Sequence, residues 1–132
     1  MQGLQEIWGL SQEEFSWATA GYQGAISSGQ TTCGLLIGSS VAIGLRFGRG
    51  KKCIPKEDEK QRNKAIKAVN ELYKDFISQY KNTECITLIG CDLSKPEDQA
   101  RYFEKEIYKD TCFEFYNFVM NRFIEMDKQE EM

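Results

Sequence analysis

The sequence predicts an all-α fold, a single-domain bundle of four to six helices of unequal length. Three observations carry this prediction. Apolar residues recur at helical spacing over two long segments, no run of alternating β-branched residues occurs, and 132 residues with 41% hydrophobic content suit one core.

The elements follow in chain order. Ser11 followed by Glu14 is a capping-box pattern that starts a helix near Gln12, with Phe15 and Ala18 facing inward. Ahead of it, Ile7, Trp8 and Leu10 are expected to pack on the body or on a second copy, which favours a homodimer. "GYQGAISSGQTT" reads as a loop, because Gly21, Gly24 and Gly29 with Ser27 and Ser28 make backbone freedom cheap. The next helix runs from about Thr32 to Phe47. Its small residues Gly34, Gly38 and Ala42 recur every four positions and suggest a face open to close approach, since each interior glycine costs up to about 1 kcal/mol relative to alanine.

Gly48 and Gly50 end that helix, and "KKCIPKED" is read as an exposed connection holding Cys53. From about Lys56 to Tyr80 the residues Ile66, Val69, Leu72, Tyr73, Phe76 and Tyr80 form an apolar stripe with charges opposite. A short apolar piece, "CITLIG", stops at Gly90. Ser94 then serves as N-cap for a helix with Pro96 and Glu97 in its first turn. After a break around Lys109 to Asp110, Cys112, Tyr116, Val119 and Phe123 face inward from a last helix, and residues 126–132 form a charged, disordered tail.

Composition narrows the function classes. The net charge is −3 and the 17 basic and 20 acidic residues are mostly interleaved, so the basic footprint of a nucleic-acid binder is missing. The first residues lack a basic n-region and Glu6 interrupts any apolar segment, which argues against a secretory signal and for a cytoplasmic location. The apolar stretch from Leu35 to Leu45 is too short to span roughly 30 Å of hydrocarbon, so no membrane insertion is expected. "GRGKK" lacks the spacing of a phosphate-binding loop.

Five cysteines and no histidine give the chain its chemical character. Cysteine–histidine hydrolysis, a two-histidine iron site and a mixed Cys/His zinc finger are excluded. Thiol redox chemistry, all-sulfur ligation or burial remain, and no CxxC pair decides among them. Cys112 fits an apolar stripe as a small hydrophobe, and Cys53, among lysines, would have a lowered thiol pKa without any implied role. Cys33 lies at a helix amino-terminus, where unpaired amides favour a thiolate. Packing and chemistry both fit that position.

The segments "TAGYQGAISSGQTTCGLLIGSSVAIGLRFG", "TECITLIGCDLS" and "KDTCFEFYNFV" together resemble the small helical redox-active proteins named for their C, GCAxxG, C, C pattern, relatives of a region of a split-Soret cytochrome c. The likeness extends from about Phe15 to Val119. It implies that Cys33, Cys85 and Cys112 correspond to the second, third and fourth family cysteines, that these three carry catalysis or metal ligation, and that Gly34 and Gly38 border a cofactor. An iron–sulfur cluster, another thiolate-bound metal or thiol–disulfide exchange with a redox partner protein would follow from it, and whether the chain is an enzyme stays open. Leu35 replaces the family's alanine, and the first family cysteine, expected in a helix that would precede Met1, has no counterpart here: either the chain starts late or this member has lost that ligand, in which case Cys91 or Cys53 could serve as its replacement. A second reading is a non-enzymatic helical interaction or structural protein with cysteines as core filler. The redox reading requires Cys33 to lie near Cys85 or Cys112 in the folded chain.

Overall fold

The computed structural model describes residues 19–47 and 55–131. Six helices make up this part: α1 (Tyr22–Ser27), α2 (Gly34–Phe47), α3 (Pro55–Tyr80), α4 (Cys85–Ile89), α5 (Pro96–Glu104) and α6 (Ile107–Glu131). Among the described residues there is no strand, only an isolated antiparallel bridge between Thr32 and Glu84, so the all-α expectation holds. The helix near Gln12, the dimer-forming Ile7, Trp8 and Leu10, the glycine stop at Gly48 and Gly50, and Cys53 lie outside the described residues.

The three long helices α2, α3 and α6 enclose the core, and the short helices pack around one end. Leu36, Ile43, Leu72, Phe76 and Phe123 are fully buried, each worth about 1.5–3 kcal/mol relative to exposure. Phe76 and Tyr80 of α3 interlock with Phe115 and Phe118 of α6 at ring separations of 4.7–5.7 Å, all tilted or edge-on. These geometries add to area burial because ring edges meet ring faces. Outside the core, Arg122 of α6 donates to Asp75 of α3 at 2.5 Å, and Arg46 of α2 pairs with Asp127 of α6 at 3.2 Å.

Several expectations are corrected. The glycine-rich segment read as a loop contains α1, which is secured by side chains: the Tyr22 hydroxyl donates to the Thr32 carbonyl at 3.0 Å and bonds the Thr31 hydroxyl. The α3 stripe holds at Leu72 and Phe76, which are buried, and at Val69, Tyr73 and Tyr80, which pack partly buried against the core, but at its start Ala65 is buried and Ile66 is 51% exposed. In α6 Val119 and Phe123 are buried as expected, whereas Phe115 takes the inward place expected of Tyr116, which faces outward. Pro96 does open α5, but its N-cap is Lys95; Ser94 instead bonds Asp92. The break before α6 falls at Lys105–Glu106, with Glu106 at φ 51°, not at Lys109–Asp110. Finally, α6 continues to Glu131 and buries Met126, so the segment assigned to a disordered tail is helical to that point.

The small-residue face of α2 also divides. At about 100° per residue, Ala42 lies about 80° around the helix from Gly34, which carries it into the core with Leu36 and Ile43. Gly34 admits α1, because a β-carbon there would meet the Ile26 side chain at 2.9 Å. Gly38 borders a groove formed with Tyr22, Ile26 and Val41.

Candidate functional site

Two chain segments of extended backbone meet at the end of the bundle where α2 and α4 begin. The Cys33 amide donates to the Thr83 carbonyl at 2.7 Å, and the Cys85 amide donates to the Thr31 carbonyl at 3.0 Å, on either side of the Thr32–Glu84 bridge. Cys33, just before α2, and Cys85, the first residue of α4, each lie one residue beyond the bridged pair. Chain reversals fix both segments: Gly29 at φ 73° before the first, and Lys81 at φ 67° before the second.

Cys112 reaches the same place from the second turn of α6, after the corner with α5. Cys33, Cys85 and Cys112 all line one cavity of about 410 Å³. Gly34, Leu35, Leu88 and Leu93 form part of its wall, and five aromatic residues (Tyr102, Tyr108, Phe113, Phe115 and Tyr116) complete most of the rest. The sequence expectation that Cys33 should have Cys85 or Cys112 near it is met by both. Of the two glycines expected beside a cofactor, Gly34 lines this cavity and Gly38 does not.

The electrostatics differ from the expectation for Cys33. Its carbonyl accepts from the Leu36 and Ile37 amides at 3.0 and 3.2 Å, so it caps α2, and the Leu35 and Leu36 amides act on its thiol. These contacts favour a thiolate, but burial outweighs them and pushes the thiol up. Burial, followed by repulsion from Cys33, Cys112 and Cys91, pushes Cys85 up to about 11. Burial also raises Cys112, and the Tyr102 hydroxyl, 3.5 Å from its sulfur, acts in the opposite direction. The Tyr102 hydroxyl is itself raised, by burial first and by Cys112 next. Burial thus favours the protonated form of all three thiols, and charge on Cys112 would further disfavour ionisation of Cys33 and Cys85.

Cys91 does not line this cavity, although it lies near enough to Cys85 to contribute to raising its thiol. It is 2% exposed and outside the cavity wall, with Arg101 donating to its sulfur at 3.4 Å, to the Gly90 carbonyl at 2.5 Å and to Asp98 at 3.2 Å. Among the described residues all four cysteines are free thiols, and no three acidic or thiol side chains are grouped to hold one metal ion. An iron–sulfur cluster takes four thiolates, and among the described residues the cavity wall offers three. Cys33, Cys85, Cys112 and Cys91 as placed do not form a complete ligand set. Tyr102 and the surrounding aromatic wall were not singled out by sequence reasoning. The available signal was the dense run of aromatic residues from Tyr102 to Phe118.

No helix among the described residues is long and apolar enough to cross a membrane. No curated protein and no solved structure gives a significant match to the chain. One family model does, over residues 1–126, and its description is "Putative redox-active protein (C_GCAxxG_C_C)". The match covers nearly the whole chain, including all three cavity cysteines, and the chain belongs to that family.

Proposed function

We propose that the protein is a thiol–disulfide redox protein in which two of Cys33, Cys85 and Cys112 form the exchanging pair. The observation that carries this reading is the convergence of three thiols, from segments about fifty and eighty residues apart in sequence, on one cavity. Core filler has no reason to converge in this way. In the oxidising direction two thiols lose two protons and two electrons to an external two-electron acceptor and close one S–S bond. In the reducing direction a dithiol partner returns them.

Cluster binding is the second reading, favoured by the donor chemistry of three thiols and by the family. It requires a fourth thiolate from outside the cavity wall. Equilibration of oxygen-protected protein with oxidised and reduced dithiothreitol, followed by thiol counting and peptide mapping, tests the first reading; a reversible disulfide within the trio is expected. Iron and acid-labile sulfide bound in stoichiometric amounts after anaerobic reconstitution would favour the second instead. A homodimer through Ile7, Trp8 and Leu10 remains part of the proposal, and light scattering checks it.

A further inference from the structure

Among the described residues, the cavity wall carries no charged side chain. Its polar groups are the thiols and tyrosine hydroxyls, and aromatic rings form one side. Around the opening Tyr108, Phe113 and Tyr116 are exposed, with the Phe113 and Tyr116 rings stacked at 5.7 Å and 15°, and exposed Phe103 packs against Tyr108. At about 410 Å³ the cavity is of a size that holds a small organic molecule. A charged oxidant such as glutathione disulfide would lose the hydration of its carboxylates there without gaining a partner. A planar uncharged ring would meet ring faces and edges.

Building on the thiol–disulfide reading above, we infer that the electron acceptor of the trio is an uncharged aromatic molecule of the quinone class, bound in this cavity. Cys112 is placed to react first, because the Tyr102 hydroxyl at 3.5 Å can donate to its sulfur as charge develops. The Cys112 sulfur forms a bond to a ring carbon, and its proton passes to one quinone oxygen. The sulfur of Cys33 or Cys85 then attacks the Cys112 sulfur. The S–S bond forms, the C–S bond breaks with its electron pair returning to the ring, and the second proton goes to the other oxygen. Two thiols are oxidised by two electrons in total, and the quinone leaves as hydroquinone.

The test mixes fully reduced protein anaerobically with tetramethyl-1,4-benzoquinone, whose substituted ring resists permanent arylation. Hydroquinone release, thiol loss and the disulfide map are followed together. One hydroquinone per two thiols lost is expected, with a saturating rate and a disulfide within Cys33, Cys85 and Cys112. Phe113→Asp, at a position 54% exposed and therefore tolerant of change, should raise the half-saturating concentration roughly tenfold by removing one aromatic contact surface. Tyr102→Phe should slow the reaction roughly tenfold and move its pH profile upward, as expected from losing one hydrogen bond to a charged sulfur. Thiol loss without hydroquinone, a rate that never saturates, or a Phe113→Asp variant equal to wild type would overturn the inference. If dithiothreitol equilibration closes the disulfide and the quinone does not, the quinone assignment falls and the thiol–disulfide reading stands. If neither closes it, both fall.

Discussion

Gly29 offers a quantitative test of how the cavity end is held. Its φ is 73°, and a β-carbon there would lie 2.1 Å from the Asp92 carboxylate oxygen and 3.1 Å from its carboxyl carbon. That same oxygen accepts the Ser94 amide at 3.0 Å and the Ser94 hydroxyl at 2.5 Å. Gly29→Ala therefore incurs about 1–2 kcal/mol of left-handed backbone strain. Displacing Asp92 adds about 1–3 kcal/mol for two hydrogen bonds. Gly90→Ala isolates the first part, because Gly90 has φ 65° and a β-carbon there would meet nothing within 4 Å. Gly29→Ala should thus be the less stable variant by about 1–3 kcal/mol, or roughly 3–12 °C in Tm for a chain of this size. Thermal unfolding followed by circular dichroism under reducing conditions reads the difference. A cycle with Asp92→Ala separates the causes: once the carboxylate is removed, Gly29→Ala should cost no more than Gly90→Ala. Equal Tm values for the two glycine variants, or full additivity in the cycle, would refute the reasoning.

Further expectations concern the core, the exposed helix surface and pH. Phe76→Ala should destabilise by about 3–5 kcal/mol in denaturant titration, because the ring is fully buried among Tyr80, Phe115 and Phe118. Gly44→Ala, in the interior of α2 with nothing within 4 Å of the added carbon, should stabilise by about 0.5–1 kcal/mol in the same titration. Burial pushes the Cys85 thiol up to about 11 in the fold, above its unfolded value near 8.5. The folded state therefore holds its proton longer, and this stabilisation is complete below the unfolded value and lost as pH rises toward 11. Discounted for partial exposure, the loss is about 1–2 kcal/mol. Urea unfolding under reducing conditions at pH 8 and pH 10.5 should show it in wild type, and Cys85→Ser should remove that part of the fall.

Much of the scaffold was legible because long amphipathic helices announce themselves. The start of α5 at Pro96 and the stop of α4 at Gly90, in the left-handed region, follow directly from residue types. The local exchanges of Ile66 for Ala65 and of Tyr116 for Phe115, in stripes that otherwise hold, were not legible. An apolar stripe wider than the buried seam leaves its centre undetermined until a partner helix selects it. α1 was hidden by its glycines, since the Tyr22 hydrogen bonds and the seating of Ile26 on Gly34 are tertiary. The α5–α6 corner was hidden because Glu106 adopts positive φ without the glycine that usually marks it. At the site, the identities of Cys33, Cys85 and Cys112 came from the family resemblance, not from local spacing. Their alignment depends on an isolated bridge between Thr32 and Glu84 that no periodicity encodes.

In the proposed function Cys33, Cys85 and Cys112 act as one redox unit, and Cys91, outside the cavity wall, takes no part. Differential alkylation with mass-spectrometric readout, on protein equilibrated over a series of dithiothreitol potentials, distinguishes the two groups. Two of the three cavity cysteines should lose and regain reactivity together, with the slope of a two-electron couple, while the labelling of Cys91 does not change with potential. Independent behaviour of all four cysteines, or a pair that includes Cys91 and excludes the cavity, would contradict the proposed function.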